Sequence, residues 1–110
     1  RSPEWRVVNP NLRTFIQYVQ KNQVDAAAAE LLAAIAAHPK SVRAPRFLGH
    51  LYLTAQRWTA AAEVFRALAD YTKSPADIQA LNFAVAQIQM QARVQSRIQA
   101  RMEYHAHRAL

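Results

Sequence analysis

The chain has a single glycine among its 110 residues, and that glycine does not lie at a turn. Gly49 stands inside the apolar stretch FLGHLYLTAQRWTAAAEVF, residues 47–65. Sandwiches and barrels need many tight turns that favour glycine, so the composition disfavours an all-β fold. A glycine in a helix interior costs about 1 kcal/mol relative to alanine. We therefore expect a helical chain in which Gly49 permits two helices to cross closely.

The sequence also repeats with a period of 34 residues. The shift places Tyr18 on Tyr52, Val24 on Trp58, Ala27 on Ala61, Leu31 on Phe65 and Ala34 on Leu68. It also places Phe15 on Gly49, so we expect the tight crossing only in the second copy. A third, partial copy begins near NFA, residues 82–84, and stops matching beyond residue 91.

Each copy has the pattern of two amphipathic helices, with apolar residues three and four positions apart. In the second copy these helices cover residues 45–55 and 60–69, and Ala61 is the predicted small neighbour of Gly49. Thr59 is a candidate cap for the second of them. Ser74, Pro75 and Asp77 give a start signal, in which Asp77 reaches back to the cap. No helix breaker follows, so we predict a helix of about 35 residues from Pro75 to the end.

Several function classes lack the residues that they need. Cysteine is absent, the carboxylates are dispersed, and one glycine cannot form a phosphate-binding loop. His105 and His107 point about 200° apart on a helix, so they would not share a metal ion. We predict no catalytic residue, no metal site and no cofactor. The net charge of +7 favours acidic partners.

The combination of Leu48-Gly49, Tyr52, Trp58, Ala61 and Phe65 resembles the tetratricopeptide repeat family. The resemblance is good over 42–75, moderate over 8–41 and weak over 77–91, although Gln56 replaces a common glycine and Phe15 a small residue. It implies an all-α fold, an α-solenoid of antiparallel helix pairs. We expect a leading segment at 1–7 and one domain at 8–110, with repeats at 8–41 and 42–75 and a partial repeat or capping helix at 76–110.

The resemblance further implies that the first helices of successive units line a concave groove that holds a partner segment. The positions expected to face it are Leu12, Ile16, Val19, Arg43, Arg46, His50, Leu53, Ile78, Leu81 and Val85. This groove would be apolar at both ends and basic in the middle, which suits a peptide or helix with apolar anchors and an acidic group. The alternative is that the apolar residues form core or contact flanking regions of the same protein, and that Arg43 and Arg46 are solvated.

The last helix carries a second candidate surface. Apolar and arginine side chains recur there every four residues, at Arg93, Val94, Arg97, Ile98 and Arg101. The apolar stripe either packs back on the second unit, or projects and pairs with a partner or another copy of the chain. A long heptad coiled coil is disfavoured because Gln95 interrupts the apolar seam. The arginines alternatively contact phosphates, although no base-reading motif or aromatic platform accompanies them.

We therefore predict a non-catalytic scaffold that binds a partner protein in the groove of the solenoid. The resemblance and the alanine- and arginine-rich composition suggest a larger assembly such as a bacterial envelope, secretion or polysaccharide-export complex. The alternative is a basic adaptor that docks on nucleic acid or an anionic membrane surface through its arginine-rich helix. The chain begins without methionine, so we expect a piece of a longer protein, in either cytoplasm or periplasm. No stretch is long and apolar enough to span a bilayer.

Overall fold

The computed structural model describes residues 12–109 of the chain, with side chains from residue 13 to residue 108. The predicted leading segment at 1–7 lies outside the described residues. The described part forms five α-helices: α1 (Leu12–Gln20), α2 (Val24–Ala37), α3 (Arg43–Thr54), α4 (Trp58–Thr72) and α5 (Pro75–Ala109). They confirm the all-α fold class, and consecutive helices pack against one another as expected for a helical repeat.

The 34-residue period recurs in the backbone geometry of the turns between paired helices. Asn22 and Gln56 are 34 positions apart, and both have a left-handed backbone, with φ of 55° and 60°. The following amide of each turn donates to a tyrosine carbonyl, from Gln23 to Tyr18 and from Arg57 to Tyr52, at 2.9 Å in both. The two helix pairs are therefore closed by the same turn.

This turn corrects the prediction for the start of α4. Thr59 was expected to cap the helix, but α4 begins at Trp58 and Arg57 occupies the cap position. The left-handed residue at Gln56 turns the chain sharply enough that the helix restarts earlier than the apolar pattern indicates. Thr59 consequently lies in the first turn of α4.

The repeat also recurs in the core, because equivalent positions on the second helices are buried together. Ala27 and Ala61, Leu31 and Phe65, and Ala34 and Leu68 are all buried, and Leu31 and Phe65 have no exposed surface. The residues of α1 to α3 form one apolar cluster, and those of α4 and α5 form a second. Tyr52 packs against both clusters and so joins them.

Gly49 lies against α4, as expected, and the side chain nearest to it is Phe65, a large residue that was not predicted there. A Cβ atom at position 49 would stand 2.6 Å from both Cε2 and Cζ of the Phe65 ring. In the first unit the sizes are exchanged, with Phe15 at the position of Gly49 and Leu31 at that of Phe65. The Phe15 ring instead meets Phe47 of α3 edge-on, with centroids 5.0 Å apart. In the first unit the larger residue of the two lies on the first helix, and in the second unit it lies on the second helix.

The long last helix begins at Pro75 and has 35 residues, as predicted. Its first part packs on α4 through Leu81, Ala84, Val85 and Ile88. From residue 89 to residue 108 every described side chain is exposed, so this part projects and does not pack back on the second unit. At a rise of 1.5 Å per residue it extends about 30 Å beyond the stack. Among the described residues, no helix has the length and hydrophobicity needed to cross a membrane.

Candidate protein-binding surfaces

The first helices of the three units, α1, α3 and α5, lie side by side along one side of the molecule. Phe47 of α3 contacts both Phe15 and Tyr18 of α1, with ring centroids 5.0 and 6.2 Å apart. On its other flank α3 reaches α5 through an ion pair between Arg46 and Asp77. The row of first helices is therefore continuous, and we call its outward side the groove face.

The Arg46–Asp77 pair is bidentate. Nε of Arg46 donates to Oδ1 of Asp77 at 3.1 Å, and Nη2 donates to Oδ2 at 2.8 Å. Oγ1 of Thr72 also donates to Oδ2 at 2.7 Å, and itself accepts from the Ser74 amide at 3.1 Å. The Arg46 hydrogen bonds lower the pKa of Asp77 from its ordinary value, and Thr72 adds to the effect.

This geometry corrects the predicted role of Asp77. The carboxylate was expected to reach back to the cap of α5, but it accepts hydrogen bonds from Arg46 and Thr72 instead. Asp77 is 2% exposed, whereas the Arg46 side chain is 39% exposed. A buried carboxylate needs hydrogen-bond partners, and a bidentate arginine supplies two of them. Arg46 consequently fixes α3 to α5.

His50 lies next to this pair on α3. Its ring packs on Phe65 and Phe15, with centroids 5.1 and 6.0 Å away, although the residue also has exposed surface. Burial lowers the pKa of His50 from its ordinary value, and Asp77 and Arg46 act on it in opposite directions. The imidazole therefore favours the neutral state at the centre of the groove face.

The predicted groove residues divide into two groups by exposure. Exposed residues are Ile16, Val19, Arg43, His50 and Ile78, whereas Arg46 is half-buried. Leu53, Leu81 and Val85 are half-buried and pack against the cluster of α4 and α5, so only part of each side chain is accessible. The side chain of Leu12 lies outside the described residues.

A family model described as tetratricopeptide repeat matches residues 12–78, which is more than half of the chain. The chain belongs to the tetratricopeptide repeat family. The match covers the two complete helix pairs and the first turn of α5. Neither the curated proteins nor the solved structures yield a significant match. Tetratricopeptide repeats serve as protein–protein interaction scaffolds and are generally non-catalytic modules, so the family match supports a scaffold role for this chain.

The second predicted surface of this tetratricopeptide repeat protein lies on the projecting part of α5. Val94 and Ile98 are 50% and 54% exposed. Arg93, Arg97 and Arg101 are exposed beside them, and none forms an ion pair with an acidic side chain of the described residues. This surface is separate from the groove face, because only the first part of α5 packs in the stack.

One apolar feature between the second helices of the two repeats was not predicted from the sequence. A cavity of about 270 Å³ opens there, lined by Leu32, Ile35, Val42, Leu48, Val64 and Tyr71 among others. At its rim Leu32 is 52% exposed and Tyr71 is 64% exposed. The sequence could have indicated this feature, because Leu32 and Tyr71 are large side chains that lie just outside the apolar stripes of α2 and α4.

The acidic and histidine side chains of the described residues are dispersed. Within the described part of the chain, no three His, Asp or Glu side chains lie close enough to hold an ion. The surfaces instead present apolar side chains beside cations, which is the chemistry of protein recognition.

Proposed function

We propose that the groove face binds a segment of a partner protein, as part of a larger assembly. The segment is a helix or an extended peptide with apolar anchors and at least one acidic group. The observation that supports this most strongly is the order of side chains along the row of first helices. Exposed apolar residues stand on α1 and α5, and cationic residues stand on α3 between them.

The apolar ends of the groove face are formed by side chains that the fold leaves accessible. Ile16 and Val19 on α1 are 38% and 37% exposed, and Ile78 on α5 is 41% exposed. Each of these side chains also contributes apolar surface to a partner, at about 25 cal/mol per Å² removed from water. They are therefore suited to hold two apolar anchors of a bound segment, one at each end.

The cationic centre consists of Arg43 and Arg46, one turn apart on α3. Arg43 is exposed and has no acidic neighbour within the described residues, so its guanidinium is available to a carboxylate of the partner. Arg46 already neutralises Asp77. The acidic group of the partner is therefore expected to contact Arg43 first, with Arg46 and neutral His50 beside it.

The proposal is tested by substitutions at exposed positions, and circular dichroism verifies that each variant stays folded. The tagged chain is used to capture partners from a lysate of the source organism, and the affinity of the purified partner is then measured. Ile16→Asp and Arg43→Glu should each weaken binding about tenfold, the scale of a moderate interface contact. Arg66→Glu, at an exposed position of α4, makes the same charge change as Arg43→Glu and should leave the affinity unchanged.

Arg46→Glu is a poor test, because it would place a second carboxylate against buried Asp77 and destabilise the fold itself. Equal affinity in Ile16→Asp, Arg43→Glu and the Arg66→Glu control would show that the partner does not bind at the groove face.

A further inference from the structure

The projecting part of α5, residues 89–108, carries two parallel rows of exposed side chains, and we call it the arm. One row is apolar and consists of Met90, Val94, Ile98 and Met102, each at least 50% exposed. The other row consists of Arg93, Arg97 and Arg101. Each arginine follows an apolar residue by three positions, so the rows run side by side on one flank of the helix.

The arginines of the arm are not neutralised within the described structure. Glu103 is the one acidic residue between positions 89 and 108, and its carboxylate accepts a hydrogen bond from Gln99 at 3.3 Å. Arg108 donates to the hydroxyl of Tyr104 at 3.0 Å. The arm thus combines an uncovered apolar row with three cations that have no acidic partner among the described residues.

We propose that the arm binds an acidic amphipathic helix of another protein, which carries an apolar residue and a carboxylate at every turn. Members of each row are four residues apart, which is about 6 Å along the helix axis. Apolar and acidic residues four apart on a partner helix have the same spacing. The apolar row then packs as a ridge into the groove of that helix, while the arginines bind its carboxylates.

Charge disfavours a second copy of the chain as the occupant. Pairing two arms along their apolar rows would also bring their arginine rows close together. Each arm offers only Glu103 to offset four arginines, three of which stand in the row. Like charges on neighbouring helices are unfavourable, whereas a row of carboxylates is complementary.

The shape of the apolar row disfavours a lipid surface and a nucleic acid. Helices that lie in a membrane interface present a broad apolar face with Trp, Phe or Leu. The apolar row of the arm presents one residue per turn, and Tyr104 is the one further large apolar side chain exposed on it. Residues 89–108 contain none of those three types. A nucleic acid bound to the arginines would leave the apolar row uncovered. A protein helix covers both rows at once.

The test uses the whole 110-residue chain and a synthetic peptide helix of about 20 residues that carries Leu and Glu rows at four-residue spacing. A second peptide has Lys in place of each Glu. We expect saturable binding of the Glu peptide by fluorescence anisotropy. Arg97→Glu/Arg101→Glu should weaken it about tenfold and create binding of the Lys peptide. Ile98→Gln should also weaken it, whereas Arg66→Glu should not.

All of these positions are exposed, and circular dichroism will verify that each variant keeps its helix content. The proposal is overturned if the Glu peptide shows no saturable binding or binds the arm variants equally well. It is also overturned if anionic vesicles or duplex DNA bind the arm more tightly than the peptide does. A dimer in sedimentation that Ile98→Gln dissociates would identify a second copy as the occupant instead. None of these outcomes depends on the groove face.

Discussion

Gly49→Ala adds one methyl group at a site where the Phe65 ring leaves no room. The new Cβ atom would stand 2.6 Å from two ring carbons and 3.0 Å from a third. Non-bonded carbon atoms pack at about 3.5–4.0 Å, so the ring must withdraw by about 1 Å. Phe65 is completely buried, and its ring also packs on His50. It therefore cannot withdraw without displacing its neighbours.

Two opposing terms give the size of the effect. Overpacking of a well-packed core costs about 1–3 kcal/mol. Alanine is better than glycine in a helix by about 1 kcal/mol, which offsets part of that cost. We expect a net loss of about 1 kcal/mol in the free energy of unfolding, from urea denaturation followed by circular dichroism. The matching fall in melting temperature is about 4–8 °C.

A second substitution separates the clash from other effects. Phe65→Leu in the Gly49→Ala background brings this site closer to the first unit, where leucine occupies the position of Phe65. The two substitutions should show a favourable coupling of about 1 kcal/mol in a double-mutant cycle. Ala33→Gly, at an exposed position of α2, measures the propensity term in this chain. The packing argument would be refuted if Gly49→Ala raised the free energy of unfolding by as much as Ala33→Gly lowers it.

Three further predictions concern the Arg46–Asp77 ion pair, the turns at Asn22 and Gln56, and His50. Asp77→Asn should lower the free energy of unfolding by about 2 kcal/mol at neutral pH, because Arg46 loses its charged partner. In the wild type the pKa of Asp77 is lowered in the folded state, so the free energy of unfolding decreases as the pH falls below the ordinary Asp pKa of 3.8. This decrease should be smaller in Asp77→Asn. Gln56→Gly should stabilise the fold by about 0.5 kcal/mol in urea denaturation by relieving a left-handed residue, with a smaller gain for Asn22→Gly. The NMR titration of His50 should give a pKa below 6.5, and stability should therefore decrease as pH falls through 6.5 in the wild type but less in His50→Gln.

The fold could be predicted from the sequence because the signals for it are local or periodic. The 34-residue shift and the apolar spacing predicted the helix pairs, and Pro75 marked the start of the long helix. The same reasoning identified Gly49 as a packing residue. Phe65 was not predicted as its nearest neighbour, because a small residue suggests a small partner. The structure shows that glycine instead makes room for the large ring of Phe65.

The features that were missed depend on contacts between distant parts of the chain. Arg46 and Asp77 are 31 residues apart, and each had a plausible local role, one in the groove and one at a helix cap. The start of α4 depends on the left-handed backbone of Gln56. Glutamine has no preference for that conformation, so the sequence did not indicate it. The apolar stripe of α5 does not pack on the second unit, because the helix continues beyond its contacts with α4. A sequence pattern predicts that a helix has an apolar face, but it does not predict which other part of the protein packs on that face.

The most direct test of the proposed function is site-specific photocrosslinking of the protein in its own cells. A benzophenone side chain is placed at Ile16, at Ile78 or at Arg66, all of which are exposed. If the groove face binds a partner segment, one protein should crosslink from Ile16 and from Ile78, and not from Arg66. Crosslinks to that protein from Arg66 alone, or equally from all three positions, would contradict binding in the groove.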